Sequence, residues 1–151
     1  MRNLSITGWG SYLPSTKVHF DDQVRYRISD AETQLDMLAG ASAQALARAG
    51  VRTGDLDAII VAAAAGVQPI PCTAALLQER LDKKARAAAL DINTTCTSFI
   101  TALDIASRYL HDGTYQNVLL VSGDVGTRFL IPQQRESVEL FSDAAAAVVL
   151  T

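Results

Sequence analysis

Charge, aromatic rings, histidine and cysteine are all scarce in this sequence, and each scarcity removes a class of function. Of 151 residues, 19% are charged, 6% are aromatic, two are histidines and two are cysteines. The formal net charge is −3 and no basic stretch stands out, so neither a nucleic-acid footprint nor a polybasic membrane patch is present. Cys72 and Cys96 form no Cys-x-x-Cys pair and have no histidines clustered around them, which leaves no metal-ligand spacing. No apolar run approaches the ~20 residues that a spanning helix needs. The opening Met1-Arg2-Asn3-Leu4-Ser5-Ile6 carries no long apolar segment of the secretory kind. A soluble cytoplasmic protein with free thiols is therefore expected, although a Cys72–Cys96 disulfide is possible in principle. Glycine-rich phosphate loops are missing too. Gly8-Trp9-Gly10 has no third glycine and no helix behind it, which argues against a doubly wound nucleotide binder. No cofactor or metal is expected.

What the chain has instead is alanine and other apolar residues, 49% in all, arranged in alternating strand-like and helix-like runs. Disorder is excluded by that share, and 151 residues suffice for one domain with a sizeable core. A first strand near Leu4–Gly10 ends at Tyr12-Leu13-Pro14. Residues 14–27 are polar and mixed and read as a loop with little regular structure. Ser29 and Glu32 have capping-box spacing, and Leu35, Leu38, Ser42, Ala45, Leu46 and Ala49 then recur at helical spacing up to Gly50. Asp57–Ala62 reads as a buried strand, Thr73–Leu81 as a helix, Ala87–Ile92 as a third strand. A helix is expected from Cys96 to His111, with Phe99, Leu103, Ala106 and Leu110 facing the core and Asp104 and Arg108 facing away. Asn117–Gly123 and Ala145–Leu150 complete five strands, the last of them antiparallel at one edge. The result is an α/β layered domain with a mixed, mostly parallel sheet covered by helices.

Chemistry concentrates in Ala89-Leu90-Asp91-Ile92-Asn93-Thr94-Thr95-Cys96-Thr97-Ser98-Phe99. A strand ends, a sharp turn follows, and Cys96 stands where a helix begins. The positive end of a helix favours a thiolate over a thiol. The amide of a nucleophile so placed can also accept the negative charge of a tetrahedral intermediate. Thr95, Thr97 and Ser98 are small enough to let a substrate reach the sulfur. On spacing alone, Cys96 could equally be a small buried apolar residue.

The string DINTTCTSFITALDIA is similar to the nucleophile segment of the β-ketoacyl-acyl-carrier-protein synthase III group, in which small residues lead into Cys-x-x-Phe and an alanine-rich helix. ITGWGSYLP, VQPIPCTAALLQERL, LLVSGDV and LFSDAAAAVVL resemble further segments of that family, in its order, so the resemblance covers essentially the whole chain. It implies the N-terminal half of a thiolase fold across residues 1–151, with a catalytic His and Asn supplied by a C-terminal half. Neither His19, in the polar loop, nor His111, at a helix end, is expected to fill that role. The implied activity is that of an acyltransferase. Cys96 takes the acyl group of a thioester, and a malonyl thioester then condenses with it as carbon dioxide leaves. Phe99 and Ile70 are implied as substrate-binding residues, Ile70 at the position where an aromatic residue of a partner subunit closes the acyl pocket.

Departures from the family adjust those expectations. The chain stops at Thr151 without a second half, so it is read as a fragment or as one of two separately encoded halves. The stretch before the first helix lacks the Trp and the Arg-Thr-Gly motif that grip coenzyme A, so an acyl carrier protein is the expected donor. Asp21-Asp22 and Arg25-Tyr26-Arg27 read as a solvated face, with a phosphopantetheine-binding patch as the alternative. Cys72 reads as structural, and Asp143 as a hydrogen-bonding anchor. A homo- or heterodimer through the third strand is expected, because so apolar an edge needs cover. The competing functional reading is a non-catalytic thiolase-fold partner subunit in a heteromeric synthase.

Overall fold

A computed structural model of the chain describes residues 3–151; Met1 and Arg2, used above in reading the amino terminus, lie outside the described residues. Five strands form the main sheet: β1 (Ile6–Tyr12), β4 (Ala58–Ala62), β5 (Ala88–Ile92), β6 (Val118–Asp124) and β7 (Ala144–Leu150). Their order across the sheet is β1-β7-β6-β4-β5. β4 pairs in parallel with both β5 and β6, whereas β7 runs antiparallel to both β6 and β1. Four strands thus share one direction and β7 alone is reversed. The antiparallel last strand was expected at an edge; it is inserted between β1 and β6, and the edges are β1 and β5.

Alternation along the central strands builds a core on each face of the sheet. Ile59 and Val61 of β4, with Leu119 and Val121 of β6, join a cluster with Met37, Leu38, Ala41 and Ala45 of α1 (Gln34–Ala49) and Leu77 of α2 (Thr73–Asp82). Ala58, Ile60 and Ala62, with Val118 and Leu120, join the opposite cluster under Ala102 and Ala106 of α3 (Ser98–His111). Both central strands are buried on two faces, which explains their unbroken apolar runs. Alanine serves close approach: a Cβ on Gly10 would stand 2.1 Å from the Ala41 carbonyl oxygen, so the backbone of α1 lies directly on β1. The fully buried stripe of α3 runs Ser98, Ala102 and Ala106; Phe99, Leu103 and Leu110 are half-buried at its flanks. The expected face was therefore displaced toward the smaller residues, which are the ones that fit against the sheet. No helix among the described residues is long and apolar enough to cross a membrane.

Two local expectations are corrected. Residues 14–27 are not an irregular loop but contain a hairpin, β2 (Thr16–Phe20) and β3 (Gln23–Arg27), paired antiparallel about Asp21-Asp22 with Asp21 at φ 46°. Alternating Val18, Phe20, Val24 and Tyr26 carried that signal beneath the polar composition. The N-cap of α1 is Thr33, in a capping box with Asp36, rather than Ser29. The Ser29–Glu32 bonds do form, at 2.9 Å from both the Ser29 amide and its hydroxyl, but they close a loop. Glu32 also accepts from Tyr12 Oη at 2.8 Å and Ser15 Oγ at 3.0 Å, and these donors, the Ser29 amide first, hold its carboxyl down at about 2. Gly50 ends α1 at φ 67°, as expected of a left-handed stop.

Asp143, fully buried just before β7, anchors the hairpin to the body. Its carboxylate accepts from the amides of Ile28 and Thr127, both at 3.0 Å, and from Thr127 Oγ1 at 2.6 Å, while its own amide donates to the Tyr26 carbonyl at 2.8 Å.

Candidate active site

Strands β4, β5 and β6 are parallel, so their carboxyl ends open on one side of the sheet, where ligands of open α/β sheets bind. The turn after β5 carries Cys96. Asn93 Oδ1 accepts the Thr95 amide at 3.0 Å, Thr95 takes φ 55°, and the Thr97 and Ser98 amides donate to the carbonyls of Thr94 and Thr95 at 3.3 and 3.1 Å. Helix α3 starts at Ser98 with Thr97 as N-cap, two residues later than expected, because Cys96 belongs to the tight turn and not to the first helical turn. Cys96 is exposed and its thiol free. None of the turn's hydrogen bonds among the described residues takes the Cys96 amide.

Cys96 opens onto a cavity of about 380 Å³ lined by Ala64, Ala65, Cys96, Asp124, Phe129 and Phe141, with Gly126, Leu130 and Ser142 completing its wall. Its character is mainly apolar, suited to a hydrocarbon chain. The β4 loop that forms one wall is held on every side. Asp124 accepts the amides of Ala64 and Ala65 at 3.1 and 2.8 Å, Asn93 Nδ2 donates to the Ala64 carbonyl at 2.8 Å, and Gln34 Nε2 reaches the carbonyls of Ala65 and Gly123 at 2.7 and 2.8 Å. The rest of the wall comes from the short 3₁₀ turn Gly126–Phe129 with Leu130 after it, and from Phe141 and Ser142, which follow α4 (Arg135–Leu140).

Of the residues singled out from sequence, only Cys96 lines this cavity. Phe99 is half-buried and packs against the core cluster under α3. Ile70, 85% exposed in the loop between β4 and α2, stands away from it on the surface. His19 and His111 are both exposed and neither lines the cavity. No metal-binding cluster of His, Cys, Asp or Glu occurs among the described residues. Sequence reasoning missed Phe129, Leu130, Phe141 and the Asp124 clamp, which reach the site from segments distant in the chain. The signal that would have found them is the rule that loops at the carboxyl ends of parallel strands converge. Trp9 faces outward from β1, with the Arg48 guanidinium 4.0 Å over its ring, and takes no part in the site.

A reversed strand β7 between β1 and β6, helices on both faces and a cysteine on the turn into the central helix define a thiolase-type half. Comparison with known proteins agrees. The sequence model of the 3-oxoacyl-[acyl-carrier-protein] synthase III family matches residues 90–151. The β-ketoacyl-[acyl-carrier-protein] synthase III 2 of Vibrio vulnificus is 34% identical over 97% of this chain and 44% of its own length. The crystal structure of 3-oxoacyl-[acyl-carrier-protein] synthase III from Aquifex aeolicus superposes with a TM-score of 0.93 at 30% identity, over 99% of this chain and 54% of that one. A priming β-ketosynthase of the R1128 polyketide pathway superposes at 0.91 with 25% identity, over 99% and 50%. The chain matches the N-terminal half of thiolase-fold, synthase III-like condensing enzymes, and it spans about half the length of these relatives.

Proposed function

We propose that Cys96 is the acyl-carrying nucleophile of a condensing acyltransferase completed by a C-terminal half. The observation that carries this reading is the exposed sulfur at the mouth of an apolar cavity, on a turn whose hydrogen bonds leave the Cys96 amide unused. The Cys96 thiolate attacks the carbonyl carbon of an acyl thioester. The carbon–sulfur bond forms, the carbonyl electrons move onto oxygen beside the Cys96 amide, and collapse expels the donor thiolate. A malonyl thioester then loses carbon dioxide. The electron pair left on its α-carbon attacks the acyl carbon, a β-ketoacyl thioester leaves, and the Cys96 thiolate returns. A His and an Asn of the C-terminal half would stabilise the enolate.

The donors are acyl and malonyl thioesters, and an acyl carrier protein fits better than coenzyme A, because the hairpin region lacks a tryptophan and an Arg-Thr-Gly run. Phe129, Leu130 and Phe141 would meet the acyl chain, and Ile70 would serve a neighbouring subunit's pocket. That arrangement calls for a dimer through β5, an open sheet edge carrying Ala89, Leu90 and Ile92 only partly covered. A stable monomer by light scattering would contradict it. The soluble setting is cytoplasmic.

The test is intact-mass measurement after incubation with an acyl thioester. A shift by one acyl group, absent in Cys96→Ala, supports the reading. An unshifted mass in the unaltered chain favours a non-catalytic partner subunit.

A further inference from the structure

Ser98 is almost wholly buried, yet its hydroxyl makes no contact with the cavity. It is spent on the turn. Ser98 Oγ accepts the Thr94 amide at 3.0 Å and donates to the Thr95 carbonyl oxygen at 2.6 Å. The Ala63 carbonyl oxygen, at 3.5 Å, is a longer contact for a hydroxyl with one proton to give. The Ser98 amide reaches the same Thr95 oxygen at 3.1 Å, so both lone pairs of that carbonyl are engaged on the buried side.

The Thr95 carbonyl and the Cys96 amide belong to one peptide group. That peptide is planar and trans, so its C=O and N–H point in opposite directions. Holding the oxygen down onto Ser98 therefore turns the Cys96 N–H outward, away from the core, where the turn's hydrogen bonds leave it unused. The left-handed Thr95, at φ 55°, is a conformation that a β-branched residue adopts only when its surroundings impose it. The peptide that follows it would otherwise be the one most ready to flip.

From this geometry we infer that Ser98 is a positioning residue for acyl transfer: by locking the Thr95–Cys96 peptide it aims the Cys96 amide at the oxyanion. The inference rests on Cys96 being the nucleophile. It differs from a merely structural role in one respect. Acylation passes through an oxyanion, whereas alkylation of the same sulfur does not, so only acylation depends on where the amide points.

The experiment compares two rates on the unaltered chain, Ser98→Ala and Ser98→Thr. One is acylation of Cys96 by p-nitrophenyl acetate, in which the sulfur–carbon bond forms and p-nitrophenolate leaves. The other is alkylation by iodoacetamide, in which iodide leaves. The acylation rate should fall about tenfold in Ser98→Ala while alkylation stays within twofold, and Ser98→Thr, which keeps the hydroxyl, should recover most of the loss. Equal falls in both rates, or no change in either, would overturn the positioning role. Should Ser98→Ala fail to fold, amide exchange in the unaltered chain decides: the Cys96 N–H should exchange faster than that of Ser98, and equal protection would overturn the lock. If instead Cys96→Ala keeps the full acylation rate, the nucleophile reading itself fails.

Discussion

Both cysteines of this chain sit beside the start of a helix that follows a parallel strand, and their surroundings are opposite. Cys72 is the N-cap of α2, half-buried, with its sulfur 3.9 Å from the Ala89 carbonyl oxygen. The first amides of α2 are already taken, because the Asp91 carboxylate on β5 accepts those of Thr73 and Ala74 at 2.7 and 2.8 Å. Cys96 precedes the N-cap of α3, where Thr97 provides no side-chain cap, and it is exposed to a cavity. A helix start is therefore not a reactive site in itself. What matters is whether its positive end has been neutralised by a carboxylate and whether the sulfur has room beside it.

The largest expected effect breaks the pair apart directly. Cys96→Ala should lower acyl loading by roughly 100-fold or more, while Cys72→Ala leaves it within about twofold, as read by intact mass after a timed incubation with an acyl thioester. The order of stability effects should be reversed. Exposed Cys96 can be truncated at little cost, whereas the half-buried Cys72 should cost about 1 kcal/mol in denaturant unfolding.

A smaller effect comes from uncapping α2. Asp91→Ala removes both charge-assisted bonds at its start and should cost about 1–2 kcal/mol by urea denaturation. Cys72 should then alkylate a few-fold faster as that end of the helix frays. An unchanged midpoint would show that the carboxylate does not hold the helix.

The gentlest contrast is one of pH. The third helix of the series, α1, is entered through Glu32, whose carboxyl lies at about 2 against an ordinary 4.5. A carboxyl with a depressed folded value stabilises the fold fully above its unfolded value, so this contribution is complete above about pH 4.5 and fades as pH falls toward 2. Glu32→Gln should flatten the acid limb of the stability profile in that window and leave neutral-pH acyl loading unchanged. An acid limb identical in the two proteins would mean that the Tyr12, Ser15 and Ser29 bonds do not favour the charged form.

The elements with strong periodicity were legible in the sequence. The central strands β4 and β6 announced themselves as unbroken apolar runs because both of their faces are covered, and α1 was bounded correctly at Gly50. Cys96 was legible as the end of a strand meeting a helix. The hairpin was not, because Lys17, His19, Arg25 and Arg27 alternate with its apolar residues and gave the stretch a loop's composition. Two stretches of capping-box spacing stand in tandem, Ser29–Glu32 and Thr33–Asp36; the second caps α1, and the first closes a loop in which Glu32 also accepts from Tyr12 and Ser15. The walls of the cavity come from residues 64–65, 124–130 and 141–142, which local pattern does not join. Phe99, expected both to face the core and to meet the substrate, packs half-buried against the core cluster under α3 and does not line this cavity.

Iodoacetamide labelling of the unaltered chain at several pH values, followed by peptide mapping, tests the assignment of Cys96 most directly. The exposed sulfur at the cavity mouth should be alkylated at least about tenfold faster than Cys72 near neutral pH. Equal labelling of the two cysteines, or a Cys96 protected in the absence of ligand, would contradict it.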